Sequence, residues 1–423
     1  MNIVNSGDVA WMLTSSALVL LMTPALAFFY GGMVKRKNII NTIMASVFTM
    51  GLASILWVLI GFSLSFSGTG SLIGNLDWLG MRLTESTAAA AYAPTTVCFA
   101  IFQMMFAIIT PALITGALVE RMRFSSMFVF LAIWSIIVYY PLAHMVWGGG
   151  LLAKLGAIDF AGGTVVHISA GISALVAALV LGKRKDCGKE PEKPHNVPFV
   201  FLGAGLLWFG WFGFNAGSAG AANALAVHAF MTTNTSAAAA MLSWMLIETI
   251  KKGKPTLVGT STGLVIGLVA ITPGAGFVPI WAAIIIGALV SPICYFFVTV
   301  VKSKFGYDDS LDAFGCHGVG GIWGAIATGL FAVKGFNPDP ALDAVQVNGL
   351  FFGQSQLLIS ELEAIVITAV IAVVGTLLAL WLTKLFTKEL RVSEKDEELG
   401  LDWSEHGECA YTFDEEKEFA VLK

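Results

Sequence analysis

The chain has 423 residues, of which 57% are hydrophobic and only 12% charged, with a formal net charge of -4. An ordinary soluble domain carries about 25% charged residues, so this composition excludes a soluble enzyme, a disordered chain and a nucleic-acid binder. What remains is an all-α polytopic membrane protein. The five cysteines, Cys98, Cys187, Cys294, Cys316 and Cys409, are odd in number and lack CxxC spacing, so neither a disulfide framework nor a zinc site is expected. Met1 to Val9 has no basic segment, so the first apolar run reads as a retained span rather than a cleaved signal.

A span needs about 20 mostly apolar residues. Apolar runs between charged or turn-rich breaks predict eleven, at roughly 9–32, 39–61, 94–118, 125–145, 161–182, 198–219, 226–249, 256–275, 279–301, 312–333 and 356–383. Their length and lack of alternation exclude a strand barrel. Of the 24 Lys and Arg residues, 21 fall in one set of loops and the tail. They include Lys35-Arg36-Lys37, Arg121, Arg123, Lys183-Arg184-Lys185 and Lys302; only Arg82, Lys154 and Lys334 fall in the opposite loops. The positive-inside rule then places the N-terminus outside and the C-terminus in the cytoplasm of a cell membrane. The expected division is a transmembrane transporter domain at 1–384 and a cytoplasmic regulatory tail at 385–423.

An internal repeat lies within this topology. His167 and His317 are 150 residues apart, and Gly171-Ile172 with Gly321-Ile322, and Ala177 with Ala327, keep the same offset. The first stretch lies in span five and the second in span ten. Halves of five spans each have opposite orientation, which predicts an inverted repeat (approximately 9–182 and 198–333) plus a long eleventh helix, with a pathway between the halves.

Ionisable residues within the membrane are costly and are functional candidates by default. Here they are His144, His167, His228 and His317, with Asp159 at the outer start of span five, Asp312 at the inner start of span ten, and Glu361 and Glu363 in the outer part of the last span. The repeat-related pair His167 and His317 can be two satisfied core imidazoles. It can equally be a pair that shares one hydrogen bond, stays neutral or carries one proton, and relays a proton for a small polar solute. Among aromatics, Phe102 and Phe106 share a helix face, Trp147 follows His144-Met145-Val146, and Phe214 and Ser218 are four apart. Interfacial belts and core packing account for most such residues. An indole and a phenyl face at the outer mouth could also hold a small cation at about 0.5–2 kcal/mol, with a serine hydroxyl adding a hydrogen bond. Glycine runs such as Gly148-Gly149-Gly150 suit close helix approach; no phosphate-loop or dinucleotide fingerprint is present, and no cofactor or metal is expected.

The stretch Asp159-Phe160-Ala161-Gly162-Gly163-Thr164-Val165-Val166-His167 resembles the signature of the Amt/Mep ammonium transporters. So do His144 to Gly150, Trp211 to Ser218, Phe314 to Gly318, and the tail segments Arg391-Val392, Glu397 to Asp402, His406-Gly407-Glu408 and Ala410-Tyr411. The likeness covers essentially the whole chain, and Trp147 points to the Amt branch rather than the Rhesus-like one. The resemblance implies a homotrimer with one pore per subunit. It also implies an outer ammonium site of Phe106, Trp147 and Ser218, a gate of Phe106 stacked on Phe214, pore histidines His167 and His317, and Asp159 as acidic support for deprotonation. It further implies a tail that packs on the cytoplasmic face, contacts a neighbouring subunit, regulates flux and docks a PII-type signalling protein. The expected function is ammonium, ammonia and methylammonium transport: the cation is recruited, loses its proton, and crosses an apolar pore as ammonia, with or without a separate proton relay. Rival readings are an ammonium receptor with little flux, a membrane enzyme using the histidines, and a gas channel for CO2.

Overall fold

The structure is a computed structural model and describes residues 5–82, 94–189, 193–339, 342 and 345–411. Met1 to Val4, and the tail beyond 411 with Lys417 and Lys423, lie outside the described residues. Among the described residues, eleven long helices account for the eleven predicted spans: α1 Ser6–Met33, α2 Arg36–Phe66, α3 Pro94–Thr115, α4 124–147, α5 Gly163–Leu181, α6 Val197–Ala216, α7 Ala224–Lys252, α8 Leu257–Ile271, α9 Ile280–Phe305, α10 314–331 and α11 Gln356–Thr387. Two short helices follow in the tail, α12 Glu394–Leu399 and α13 Leu401–His406.

Eight of the eleven satisfy a membrane span's length and hydropathy on composition alone. The other three, α7, α8 and α10, are excused by where they sit. Most of α8 and α10 is buried among other helices, so neither needs full bilayer length of lipid-facing surface. Helix α7 contains Met231-Thr232-Thr233-Asn234-Thr235-Ser236, yet Thr232, Thr233 and Ser236 face inward, while Val227, Met231, Leu242 and Ile250 are exposed. Its hydroxyls bond backbone carbonyls, as Thr233 does to Ala229 O at 2.6 Å and Ser236 to Gly267 O at 2.8 Å. The polar groups therefore cost little in a medium that offers no water.

The inverted repeat is visible in the packing. Helix α1 lies against α6, and α5 against α10. A side chain built on Gly171 would meet Gly318 N at 2.1 Å, and one built on Gly321 would meet His167 Cβ at 3.1 Å. Each half thus presents a small residue to the other half's histidine segment, as an approximate two-fold axis requires. Helices α5, α6 and α10 also each contain a π-helical turn, at Gly163–Ile168, Phe212–Ala216 and Phe314–Gly318. Those turns carry His167, Phe214 and His317. Wide turns of this kind aim a side chain off the regular helical row, and they cluster at functional sites.

The basic loops converge on one face around a buried ion cluster. Arg184 pairs with Asp308 at 2.8 Å and with Glu120, and Arg121 Nη1 lies 3.7 Å from Asp308. Burial alone would raise both carboxyls, but hydrogen bonds and charge from Arg184 outweigh it and hold Glu120 and Asp308 below the ordinary carboxylate range. Their stabilising contribution is therefore present above that range and is lost as pH falls through the lowered folded values. Arg184→Met leaves two buried carboxylates short of their counter-charge, which costs about 3–5 kcal/mol. A lowered melting temperature in detergent, with the deficit shrinking on acidification, is the expected result.

The tail folds onto this same face. Leu401 N donates to Asn38 Oδ1 and Asn41 N to Asp402 Oδ1, both at 2.8 Å; Phe124 N donates to Glu405 Oε2 at 2.9 Å and Lys185 N to Glu397 Oε1 at 2.6 Å. Arg391 reaches Leu181 O at 3.1 Å and Glu397 at 2.6 Å. Residues 389–411 thereby tie together the loops after α1, α3 and α5.

Candidate functional site

Asp159 organises the start of α5. Its Oδ1 accepts from Gly162 N and Gly163 N at 2.7 Å, and its Oδ2 from Thr164 N at 2.7 Å and Thr164 Oγ1 at 2.5 Å. These are the orphan donors of the first turn of α5. The approach is close because Gly162 adopts φ +120°, where a side chain would also strike Val166 Cγ2 at 2.5 Å. The Asp159 carbonyl accepts from Trp147 Nε1 at 2.9 Å, so one residue fixes both the indole and the histidine-bearing turn. Glu361 Oε1 accepts from Ile158 N at 2.9 Å and braces the same segment from α11.

Asp309, offset by 150 from Asp159, repeats this arrangement at the start of α10. It accepts from Ala313 N at 3.1 Å and Phe314 N at 2.8 Å, in the turn that leads to His317. The sequence reading singled out Asp312 instead, which pairs with Lys302 at 2.7 Å. The 150-residue offset was the signal that could have found Asp309.

A vestibule of about 690 Å3 opens at the Asp159 end, with Phe106, Trp147, Asp159 and Ser218 among its lining residues. The Phe106 and Trp147 rings are 5.9 Å apart and nearly perpendicular, at 79°. Ser218 Oγ donates to Phe214 O at 2.9 Å, which orients its lone pairs for a further donor. Phe106 on the vestibule wall packs against Phe214, which lines the next cavity, with ring centroids 4.4 Å apart.

Below the rings lies a small cavity of about 10 Å3, lined by His167, His317, Trp211, Phe214 and aliphatic side chains. That is close to the volume of one water-sized sphere. His167 and His317 are 1% and 3% exposed. Their Nδ1 atoms are 3.3 Å apart and their rings near parallel at 16°. One proton shared between the two Nδ1 atoms makes one ring's Nε2 a donor and the other's an acceptor. His167 Nε2 has no hydrogen-bond partner within the protein, so it is available to a solute. Trp211, which sequence reasoning did not assign, stacks on His167 at 5.5 Å and is itself held by Thr272 Oγ1 at 3.0 Å. Its place three residues before Phe214 on α6 was the available hint.

The other membrane histidines serve structure. His144 lies between two carbonyls, with Nδ1 3.1 Å from Ser65 O and Nε2 2.8 Å from Gly70 O, and its N–H donates to one of them, tying down the end of α2 and the loop after it. His228 bonds Val278 O at 2.9 Å and stacks on Phe336 at 4.3 Å.

Ten helices in two inverted halves and an eleventh packed beside them, with a polar vestibule, a pair of phenyl rings and a histidine-lined apolar cavity, define a polytopic membrane transporter. The family model described as Ammonium Transporter Family matches residues 10–411. The chain is 48% identical over 407 residues to an ammonium transporter of Bacillus subtilis, covering 96% of this chain and 98% of that one. It is 50% identical over 411 residues to a putative ammonium transporter of Methanothermobacter thermautotrophicus, covering 96% and 98%. The crystal structure of Candida albicans Mep2 superposes with a TM-score of 0.85 at 35% identity, covering 97% of this chain and 91% of that one. The chain belongs to the ammonium transporter family.

Proposed function

We propose that this protein carries ammonium across the cell membrane by recruiting NH4+ at the outer mouth, removing a proton, and passing NH3 between the phenyl rings and along the histidine pair. The observation that carries this reading is the contrast between mouth and lumen. The mouth offers two aromatic faces and a serine oxygen to a cation, whereas the lumen offers one water-sized space lined by carbon and two imidazoles. A bare cation in such a lumen costs many kcal/mol, and K+ conduction would need a ring of oxygens that this path lacks among the described residues. K+ is rejected because it has no proton to surrender.

In this reading Phe106, Trp147 and Ser218 bind the cation, Phe106 and Phe214 gate, and His167 and His317 guide ammonia and relay the proton. Asp159 supports deprotonation indirectly. With its carboxylate oxygens already occupied by backbone N–H groups and a hydroxyl, it positions Trp147 and α5 rather than touching substrate. The test is uptake of radiolabelled methylammonium into proteoliposomes together with measured current. Saturable uptake with current is expected; an electrically silent flux removes the proton relay, and an absence of uptake favours a receptor. The receptor reading has one supporting observation, a structure described as a Sensor Amt Protein with TM-score 0.85 and 28% identity.

The basic loops and the folded tail support a cytoplasmic C-terminus and an external N-terminus. Residues 1–384 act as the transport unit and 385–423 as its regulatory tail, in a homotrimer whose cytoplasmic face receives a PII-type protein. Deleting 391–423 removes the bonds that join the loops after α1, α3 and α5. Altered uptake from trimers of unchanged size, read by size-exclusion chromatography, is the expected outcome.

A further inference from the structure

The vestibule is far larger than the ion it would admit. A particle of water's size occupies about 30 Å3, whereas the vestibule holds about 690 Å3 and the cavity lined by His167 and His317 about 10 Å3. Small organic ligands bind in cavities of about 300–1,000 Å3 with apolar and aromatic walls and a few placed polar groups. The vestibule has that character. Its lining carries two carboxylates, Asp159 and Asp339, and no Lys, Arg or His among the described residues. One wall is hydrocarbon: Phe160, Leu342 and Val345 line the space, stay partly exposed, and pack from behind on the buried Ile158, Phe277 and Val347. That wall adjoins the aromatic mouth through the chain itself, since Phe160 follows Asp159, whose carbonyl holds the Trp147 indole at 2.9 Å.

Apolar surface removed from water is favourable wherever it finds an apolar wall. A space that is anionic, apolar along one side and followed by a much smaller cavity fits an amphiphilic cation. We propose that the vestibule is a binding site for hydrophobic primary ammonium ions, of which n-hexylammonium is the type, and that they occupy it as untransported competitors of ammonium. The head group sits over Phe106 and Trp147 with one N–H directed to Ser218 Oγ, and the chain lies along Phe160, Leu342 and Val345. The inference rests on the outer-site reading given above and adds to it an apolar subsite with its own ligand class. The chain does not follow its head inward, because the rings of Phe106 and Phe214 pack with centroids 4.4 Å apart and the cavity that Phe214 lines is the size of one water.

The test is radiolabelled methylammonium uptake by the full chain in proteoliposomes, inhibited in turn by n-propyl-, n-butyl-, n-pentyl- and n-hexylammonium. The controls are n-hexanol, which has the chain without the charge, and hexanoate, which has the opposite charge. The inhibition constant is expected to fall about twofold per methylene, from half the transfer free energy of a fully buried one, and hence about eightfold from propyl to hexyl. Inhibition should raise the half-saturation concentration and leave the maximal rate unchanged. Radiolabelled hexylammonium should show no protein-dependent uptake, and neither control should inhibit. Leu342→Ser combined with Val345→Ser should flatten the chain-length dependence while methylammonium keeps its half-saturation. If that double variant loses uptake, the series on the unaltered protein decides. Equal potency across the series overturns the proposal and makes the vestibule a water-filled antechamber. So do inhibition by hexanol as strong as by hexylammonium, protein-dependent uptake of hexylammonium, and a chain-length dependence that survives in an active double variant. Trp147→Leu checks the outer site separately: a raised methylammonium half-saturation there confines such a failure to the apolar subsite, and an unchanged one defeats the outer-site reading itself.

Discussion

Replacing His167 by aspartate is expected to let K+ through. In the native protein the cavity below the phenyl rings is lined by carbon and by two rings that share a hydrogen bond at 3.3 Å, so an intact cation finds no counter-charge there. A carboxylate within about 4 Å of the path supplies about 4 kcal/mol of attraction at an effective dielectric of 20. If that lowers the barrier in full, the K+ rate rises about a thousandfold. The smaller side chain also opens the cavity to water, which lowers the barrier further. The measurement is K+ current across proteoliposomes beside methylammonium uptake. Continued exclusion of K+ would show that selectivity is decided at the mouth and that the histidines have another task. His167→Ala separates the effects, since it enlarges the cavity without adding charge and is expected to pass far less K+ than the aspartate variant.

Asp159→Ala is expected to abolish most transport without touching a residue that meets the substrate. The substitution strips the acceptors from Gly162 N, Gly163 N and Thr164, all within the first turn of α5. Buried donors left unpaired cost about 1–3 kcal/mol each, so the turn shifts to find other partners and carries His167 and the Trp147 indole with it. A displacement of about 1 Å at a working site costs on the order of 100-fold in rate. Asp159→Asn, which keeps one acceptor oxygen, should retain intermediate activity, and initial uptake rates decide the order. Equal rates in Asp159→Ala and the unaltered protein would mean that the turn is held by its packing alone.

Much of this architecture was legible in the chain. Apolar runs marked eleven spans because the bilayer demands length and hydrophobicity regardless of neighbours. The ends of α1, α5 and α11 fell within a few residues of the predicted runs. The 150-residue offset of His167 and His317 pointed to an inverted duplication, and the aromatic and serine motifs marked candidate groups for the mouth. Three of those runs, the ones that became α7, α8 and α10, were read as spans in the same way, although their helices do not meet a span's length and hydropathy on composition alone.

Other features depended on contacts between distant segments. Asp309 is one acid among three within Asp308-Asp309-Ser310-Leu311-Asp312, and nothing local tells which one caps α10. Trp211 looked like one more aromatic in an apolar helix until it stacked on His167. The tail read as a charged segment, and its order comes from bonds to Asn38, Asn41, Phe124 and Lys185, which lie far away in sequence.

The sequence by itself determined how many times this chain crosses the membrane, which loops share a face, and which polar and aromatic residues lie within its spans. These follow from transfer free energies and periodicity, which act on each segment alone. Only the tertiary structure decided that the two imidazoles meet through Nδ1 and that Asp159 positions its neighbours rather than facing the vestibule with a free oxygen. Hydrogen-bond satisfaction is a property of distances between segments, and those distances exist only once the two halves have closed against each other.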